Sequence, residues 1–492
     1  MKDTILKKLI LCFTTILLCS CTVLQENFIQ TNDYVDLKMC NADFWIKKIP
    51  QPNKVILTPK NIEKLNSEII NTPSTKTVNL LNFPEIFNAT EKKNKMLEYF
   101  KFLDETDDSF DNSTDISFDN STDINDTSSD LTENKLPLFF YEESFIDKDF
   151  FLNLRENISN IDVSGDINIS YGICVNRTNM KFMPVDEIIT DDPEDPEFDV
   201  YMSSVVDINE PVIIFFPSAD KKHLWIQAYD CSGWVKAEDI AICKDRNEWL
   251  NAQNFKDFLL VTGEKIFLET NSISPNTSKK MLTMGTKLPL IPANELPEKI
   301  NYRSPAYNYI VRLPFRMPDG SFATLPAQIP INRDVHIGYL KCTRANIINQ
   351  AFKLLGNRYG WGGMLDSLDC SLMIQDIYKC FGVNLPRNTT WQAQIPARVI
   401  TDINKMPTWR KKIIFNSIQA ADILQLPGHT MIYLGKTATH YYTIDAVSHI
   451  CNKDNVILMI RSVAINTFDT KRRDGKKWFD TISKIIFPHK KK

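Results

Sequence analysis

The sequence predicts an α+β domain at the C-terminal end of the chain, preceded by two small all-β barrels and a mostly helical N-terminal region. Apolar residues recur at helical spacing over 344–355, and alternating strand patterns return from residue 421. Short β runs separated by turn residues fill residues 161–338. Helices followed by a run of strands are typical of an α+β fold. The predicted domains are 21–160, 161–245, 246–338 and 339–492.

Composition limits the classes of function. The chain has 492 residues, of which 43% are hydrophobic, so it can bury several cores and is long enough for about three domains. Its 15 glycines exclude a glycine-rich repeat array. No basic stripe with interleaved aromatic residues runs along the chain, so we expect no nucleic-acid partner.

The first 20 residues are typical of an export signal. Lysines precede the apolar run 9–18, which is too short to span a bilayer comfortably. The sequence around Cys21 resembles the processing site of a bacterial lipoprotein, with an ordinary secretory signal as the alternative. Acylation of Cys21 would add the several acyl chains that stable anchoring needs. Thr22 favours the outer membrane, so we expect an exported, lipid-anchored protein facing the periplasm.

The acidic excess of the chain lies in one segment. The net charge is −4, and residues 104–134 contain eleven acidic residues without lysine or arginine. An eight-residue repeat occupies 109–116 and 117–124. Low hydrophobicity with high charge predicts that 104–135 is a disordered surface insertion. The segment lacks the glycine and terminal glutamate of an EF-hand loop, which disfavours calcium, and we expect no metal or cofactor.

The strand patterns between 161 and 338 indicate two barrels of the SH3-like kind. In the first, we predict strands over 211–216 and 224–229, and a turn into a strand over 231–235. Similar short runs around 263–267, 285–290 and 309–314 predict the second barrel. Pieces of a generic β-sandwich are the alternative. Upstream, a Thr-Pro pair at 58–59 introduces a helical pattern over 61–70.

The densest chemical signal surrounds Cys370. Asp369 and Ser371 are favourable residues for a helix N-terminus, and the residues that follow provide an apolar helix face. Cys370 is therefore predicted at the start of a helix, where partial positive charge favours the thiolate. The glycine cluster at 360–363 allows the backbone to approach the site closely. The eight cysteines after residue 21 show no C-x-x-C spacing, which disfavours a zinc ribbon.

A cysteine nucleophile needs a base, and three histidines follow Cys370 at useful distance: His429, His440 and His449. His429 follows a Pro-Gly turn and begins a predicted strand, which is a rigid mount for a general base. A third polar group should orient the imidazole. The next predicted strand offers Asp445 in an otherwise apolar setting.

Together these motifs resemble the NlpC-type peptidoglycan endopeptidases. The resemblance rests on 359–363 with Asp369-Cys-Ser, on Leu-Pro-Arg-Asn at 385–388, and on Pro-Gly-His-Thr-Met-Ile-Tyr-Leu-Gly at 427–435. It extends over the mature chain. Residues 41–45 and 52–57 resemble the stabilising N-terminal region of that family, and 171–179 with 233–239 resemble its first SH3-like domain.

The resemblance implies a papain-like fold and an enzyme that cleaves γ-D-glutamyl bonds to a diamino acid in stem peptides, through a thioester. It implies that Cys370 attacks and that His429 is the base. Tyr359 would help to bind the oxyanion, and Trp361 is placed in the substrate site. The partner would be a peptidoglycan stem peptide whose free N-terminal L-Ala amine is held by Asp369 and Ser371.

Two positions depart from the family pattern. Leu372 stands where a glycine is usual after Asp-Cys-Ser. The third catalytic position is often histidine, whereas alignment of the strands places Asp445 there. His440 is the rival if the intervening hairpin is short, and Asp445 is favoured because a carboxylate can stabilise the imidazolium.

Two other functions compete with a peptidase. In the first, the chain is a catalytically inactive scaffold that binds peptidoglycan through its SH3-like domains; intact Cys370 and His429 argue against it. In the second, the chain is a lipid acyltransferase. Those relatives are permuted, with the histidine before the cysteine, whereas here Cys370 precedes His429.

Overall fold

A computed structural model describes residues 30–104, 139–140, 146–191, 195 and 198–491. The predicted signal 1–20, the lipidation site Cys21 and all but the first residue of the predicted insertion 104–135 lie outside these ranges. None of the helices in the described ranges is both long and apolar enough to cross a membrane.

The N-terminal region consists of short helices and strands laid against the rest of the molecule. Its helices are α1 Ala42–Ile46, α2 Pro59–Ile70, α3 Ala89–Glu98 and α4 Lys148–Ser159, and its strands are β1 Val55–Leu57, β2 Ile86–Asn88 and β3 Phe139–Phe140. Helix α2 begins where Thr58 accepts a hydrogen bond from the Asn61 N–H, with Pro59 in its first turn. Its buried face belongs to the core of the C-terminal domain.

The first β domain is a seven-stranded antiparallel sheet in the order β12-β5-β9-β10-β11-β6-β8. Its strand β10 is buried at every residue, because Trp225 on one face and Leu224 and Ile226 on the other pack into two different apolar cores. The strands of the region are β4 Asp166–Asn168, β5 Ser170–Cys174, β6 Thr178–Lys181, β7 Ile189–Thr190, β8 Met202–Val206, β9 Pro211–Pro217, β10 His223–Gln227, β11 Ser232–Lys236 and β12 Ile240–Ile242.

The second β domain surrounds its own small apolar core. Strands β16, β13 and β19 form one sheet, and β14–β15 and β17–β18 form two hairpins. Helix α5 Arg246–Gln253 precedes this domain and packs on β5 of the first β domain. The strands of the second domain are β13 Phe258–Val261, β14 Lys265–Phe267, β15 Met281–Thr283, β16 Lys287–Pro289, β17 Asn308–Arg316, β18 Phe322–Pro330 and β19 Val335–Ile337.

The C-terminal domain begins with three helices and continues into a six-stranded antiparallel sheet in the order β21-β26-β22-β23-β24-β25, with two further helices inserted between its strands. Helix α7 is buried over nearly its whole length and packs on β23 and β24. Its elements are β20 Cys342–Thr343, α6 Arg344–Lys353, α7 Cys370–Lys379, α8 Thr389–Gln392, β21 Ala397–Ile400, α9 Thr408–Ser417, β22 Ile423–Leu426, β23 His429–Lys436, β24 Tyr441–Cys451, β25 Ile457–Thr467, α10 Trp478–Thr481 and β26 Lys484–Lys491.

One hydrophobic core joins the N-terminal region to this domain. Fully buried Trp45 of α1 packs on Tyr442 of β24, with ring centroids 5.1 Å apart. The strand β1 pairs with β20, immediately before α6. The N-terminal region is thus part of the structural support for the sheet that carries β23, β24 and β25.

Candidate active site

Cys370 is the first residue of α7. The Asp369 carboxylate caps this helix by accepting a hydrogen bond from the Leu372 N–H at 2.8 Å. The Cys370 side chain is nearly buried, and its Sγ lies 3.9 Å from Thr389 Oγ1 at the start of α8. The positive end of the helix dipole therefore acts on a sulfur atom that is largely shielded from water.

His429 begins β23 directly after a turn in which Gly428 has a φ of +74°. Its Nε2 lies 2.9 Å from Asp445 Oδ2, and the imidazole also hydrogen-bonds Cys370. Burial alone would lower the pKa of His429, but the hydrogen bonds to Asp445 and Cys370 raise it to about 10. The imidazolium form is therefore favoured beside the sulfur.

Asp445 lies in β24, fully buried beside the imidazole. Its Oδ1 accepts a hydrogen bond from Thr443 Oγ1 at 3.0 Å, and its Oδ2 accepts one from Asn466 Nδ2 at 3.2 Å. His440 lies elsewhere: its Nδ1 is 2.8 Å from Asp469 Oδ2, and its ring stacks on Tyr34. Of the two predicted candidates, Asp445 is therefore the one that contacts His429.

Asp369 and Ser371 belong to a buried ion-pair network with Arg387. The guanidinium donates to Asp369 Oδ1 at 3.1 Å and to Oδ2 at 2.7 Å, and it also donates to Ser371 Oγ at 2.9 Å. Burial would raise the pKa of Asp369, but the charge and hydrogen bonds of Arg387 hold it below its usual range. The Gly362 N–H also donates to Oδ2 at 3.1 Å. Asp369 thus holds the helix and the glycine loop together.

Tyr359 and Trp361 stand at the entrance to the glycine loop. Burial and the nearby charges of Cys370 and Asp369 raise the pKa of Tyr359 well above its usual value, so its hydroxyl remains a hydrogen-bond donor beside the sulfur. Trp361 packs against Phe198 of the first β domain, with ring centroids 4.8 Å apart. The structure thus brings both predicted residues to the Cys370 end of α7, next to the first β domain.

The comparisons with known proteins agree with this geometry. Residues 356–456, which include Cys370, His429 and Asp445, match the NlpC/P60 family. The chain contains an NlpC/P60 domain. Residues 190–236 match the SH3 domain of SH3b1 type, which identifies an SH3b domain in the first β region. No curated protein sequence matches the chain.

One solved structure shares the architecture. An NlpC/P60 endopeptidase from Photobacterium damselae subsp. piscicida is 15% identical and superposes with a TM-score of 0.64, over 94% of this chain and 98% of its own. An NlpC/P60 family protein from Bacillus cereus is 16% identical, with a TM-score of 0.45 over 65% of this chain and 99% of its own. At this level of identity, the first likeness shows the fold alone.

Sequence reasoning gave no role to several polar residues of the NlpC/P60 domain that surround the site. Arg387 and Thr389 lie in or next to the 385–388 motif, whose arginine could have been paired with the buried Asp369. Asn466 is far from the other motifs in sequence, and no local pattern marks it. Within the described ranges, no group of three His, Cys, Asp or Glu side chains is arranged to hold a metal ion.

Proposed function

We propose that this protein is a cell-wall cysteine peptidase that hydrolyses the γ-D-glutamyl–diamino acid bond of peptidoglycan stem peptides. The observation that carries the proposal is the hydrogen-bonded series Cys370, His429 and Asp445 inside an NlpC/P60 domain. A nucleophile, a base and an orienting carboxylate in this order are the elements of covalent acyl transfer.

The first half of the reaction forms a thioester. The Cys370 sulfur, its proton held by His429, attacks the carbonyl carbon of the γ-glutamyl amide. The Tyr359 hydroxyl and the N-terminal end of α7 stabilise the resulting oxyanion. The C–N bond then breaks, and the leaving amine of the diamino acid takes the proton from His429. In the second half, His429 removes a proton from water, the hydroxide attacks the thioester carbonyl, and the sulfur leaves.

Recognition of a free N-terminal L-Ala amine is the second part of the proposal. The resemblance assigns this amine to Asp369 and Ser371, which lie on either side of Cys370. Both residues already bond Arg387, so the amine would share a site whose charge is partly neutralised. Acetylating the L-Ala amine should abolish turnover, whereas equal cleavage of the capped and free peptides would overturn this assignment.

The cellular placement follows from the N-terminal sequence. We propose that Cys21 is acylated and that the protein is held on the periplasmic side of the outer membrane. Metabolic labelling with a radioactive fatty acid should mark the intact protein and leave a Cys21→Ser variant unlabelled. If both proteins were labelled equally, or if neither were labelled, the proposed acylation of Cys21 would be contradicted.

The decisive experiment incubates the full chain with L-Ala-γ-D-Glu-diaminopimelate peptide beside a Cys370→Ala variant, with products identified by mass spectrometry. We expect cleavage only by the intact protein, with release of the L-Ala-D-Glu dipeptide. Binding without cleavage by both proteins would favour the scaffold alternative. Equal cleavage by both would exclude Cys370 as the nucleophile.

A further inference from the structure

A segment of the N-terminal region reaches the hydrogen bonds behind the candidate catalytic histidine. Asn32 Nδ2 lies 2.8 Å from the side-chain oxygen of Asn466 on β25. The Asn466 side chain is fully buried, and its own amide nitrogen donates to Asp445 Oδ2 at 3.2 Å. The same Asp445 oxygen receives the His429 hydrogen bond at 2.9 Å. An unbroken series of side-chain bonds thus runs from Asn32 to His429.

The direction of these bonds gives Asn32 a specific task. A buried asparagine can present either its oxygen or its NH2 group to a neighbour, and only the NH2 group can donate to a carboxylate. Because Asn32 donates to Asn466 Oδ1, the NH2 end of Asn466 is left facing Asp445. With the amide reversed, two acceptor oxygens would face each other in a buried site, which is unfavourable.

The segment that carries Asn32 is fixed at several other points. The Thr31 hydroxyl donates to the Val35 carbonyl at 2.6 Å, and the Val35 N–H donates to the Asn32 carbonyl at 3.1 Å. The Tyr442 hydroxyl of β24 donates to the Tyr34 carbonyl at 3.0 Å. These contacts place Asn32 against the sheet independently of its own side chain.

We propose that Asn32 is a positioning residue for catalysis, which orients the Asn466 amide so that Asp445 holds His429 toward Cys370. This inference rests on the proposed role of Cys370 as nucleophile. It makes the N-terminal region part of the working site, although Asn32 itself contacts none of the reacting atoms.

The test measures the rate at which iodoacetamide alkylates Cys370, followed by mass spectrometry of the Cys370 peptide, together with kcat and KM on the stem peptide. We expect Asn32→Ala to slow alkylation and lower kcat about two- to tenfold, with KM unchanged, as for loss of one neutral hydrogen bond. Asn32→Asp, which can only accept, should be slower still, because it draws the Asn466 NH2 group away from Asp445.

The control is Asp33→Ala, which removes a different hydrogen bond of the same segment, from the Lys453 N–H to Asp33 Oδ2 at 2.7 Å. We expect Asp33→Ala to leave the alkylation rate of Cys370 unchanged. An equal loss in Asp33→Ala and Asn32→Ala would show a general structural role and overturn the proposal. So would an unchanged rate in Asn32→Ala, or a faster rate in Asn32→Asp than in Asn32→Ala.

A double-variant cycle tests whether Asn32 acts through Asn466. Once Asn466→Ala is in place, adding Asn32→Ala should cause no further loss, whereas independent effects would multiply and contradict the proposal. If Asn466→Ala does not fold, the comparison of Asn32→Asp with Asn32→Ala still decides. Alkylation needs no substrate, so these results stay readable even if the wild-type chain fails to cleave the stem peptide and the proposed function falls.

Discussion

At the scale of single residues, the position of the His429 imidazole depends on one carboxylate. Asp445 accepts a hydrogen bond from His429 while Thr443 and Asn466 hold its two oxygens in place. His440 was the rival in the sequence, and its hydrogen bond to Asp469 places it in a separate pair. The two histidines therefore allow a comparison between one that contacts Asp445 and one that does not.

We predict that Asp445→Asn lowers kcat by about 10²- to 10⁴-fold, because the asparagine can neither fix the imidazole tautomer nor stabilise its cation. Removing a group that raises the pKa of His429 must lower that pKa from about 10. The basic limb of the kcat/KM profile should therefore move to lower pH. The control, His440→Gln, should stay within about twofold of wild type. A larger loss in His440→Gln than in Asp445→Asn would reverse the assignment.

Asp369 and Arg387 form a pair whose members are both almost inaccessible to water. We predict that Asp369→Ala destabilises the fold by about 3–5 kcal/mol, because it leaves the Arg387 guanidinium buried without its counterion. Asp369→Asn keeps an oxygen for the helix cap and should cost less. Urea unfolding of wild type, Asp369→Ala and Asp369→Asn measures the differences in the free energy of unfolding.

The control for this pair is Asp36→Ala, which breaks an exposed ion pair with Lys38. That change should fall within about 1 kcal/mol of wild type. An equally small loss of unfolding free energy in Asp369→Ala and Asp36→Ala would show that the Asp369–Arg387 ion pair does not hold the loop to the helix.

At the scale of elements, the loop 360–363 is shaped by what lies on both sides of it. Gly362 has a φ of +66°, and a Cβ there would lie 2.5 Å from Met202 Cγ on β8 of the SH3b domain. A Cβ on Gly363 would lie 2.9 Å from Leu372 Cδ2 in α7. Leu372, which departs from the family pattern, fills the space directly beneath this loop.

We predict that Gly362→Ala lowers both the melting temperature and kcat/KM, because the loop must move away from Met202 and take Tyr359 with it. The control is Gly475→Ala, where φ is +76° but no atom lies within 4 Å of the added Cβ. Both variants carry the backbone strain of a positive φ, so the steric contact should make Gly362→Ala worse by more than about 1 kcal/mol. Equal melting temperatures of the two variants would show that Met202 can move away from the added Cβ without a loss of stability.

The elements that could be predicted from the sequence are those with short-range signals. The helix beginning at Cys370 followed from its capping residue and apolar face, and the strand beginning at His429 followed from the Pro-Gly turn. The Arg387 clamp and the Asn466 contact join residues that are 18 and 21 positions apart from their partners, and no periodic pattern records such pairs. The burial of both faces of strand β10 likewise depends on two separate cores, which no local pattern within the strand records.

At the scale of the whole molecule, the NlpC/P60 domain is held by the other three regions. Arg387 Nε donates to Ser204 Oγ of the SH3b domain at 2.8 Å. Lys353 pairs with Asp334 of the second β domain at 2.8 Å, and Asn66 of α2 donates to the Gly382 carbonyl at 2.8 Å. The domain that carries the site is therefore held by contacts from each of the other three regions. The fold shared with the Photobacterium structure likewise extends over 94% of this chain.

The junction between α7 and the SH3b domain buries several charges. Asp207 pairs with Arg177 and with Lys379 of α7, and Glu210 lies 2.9 Å from Lys379 Nζ. Asp376 of α7 is 4% exposed, and its Oδ1 makes no hydrogen bond, although Lys379 Nζ is 3.7 Å away. Burial, together with the charges of Asp207 and Glu210, outweighs the effect of Lys379 and Arg177 and raises the pKa of Asp376 to about 7.

At the same junction, we predict opposite effects on stability at pH 8 for Asp376→Asn and Asp207→Asn. Because the folded state holds the Asp376 proton more tightly than the unfolded state, stability is lost as the pH rises from about 4 to 7. Asp376→Asn, which stays neutral, should therefore raise the melting temperature at pH 8 and lose this advantage near pH 4. Burial would raise the pKa of Asp207, but Arg177 and Lys379 lower it, so Asp207→Asn should destabilise at pH 8. Thermal melts of wild type and both variants at pH 4 and pH 8 test this prediction. A destabilised Asp376→Asn at pH 8 would contradict the raised pKa of the Asp376 carboxyl in α7.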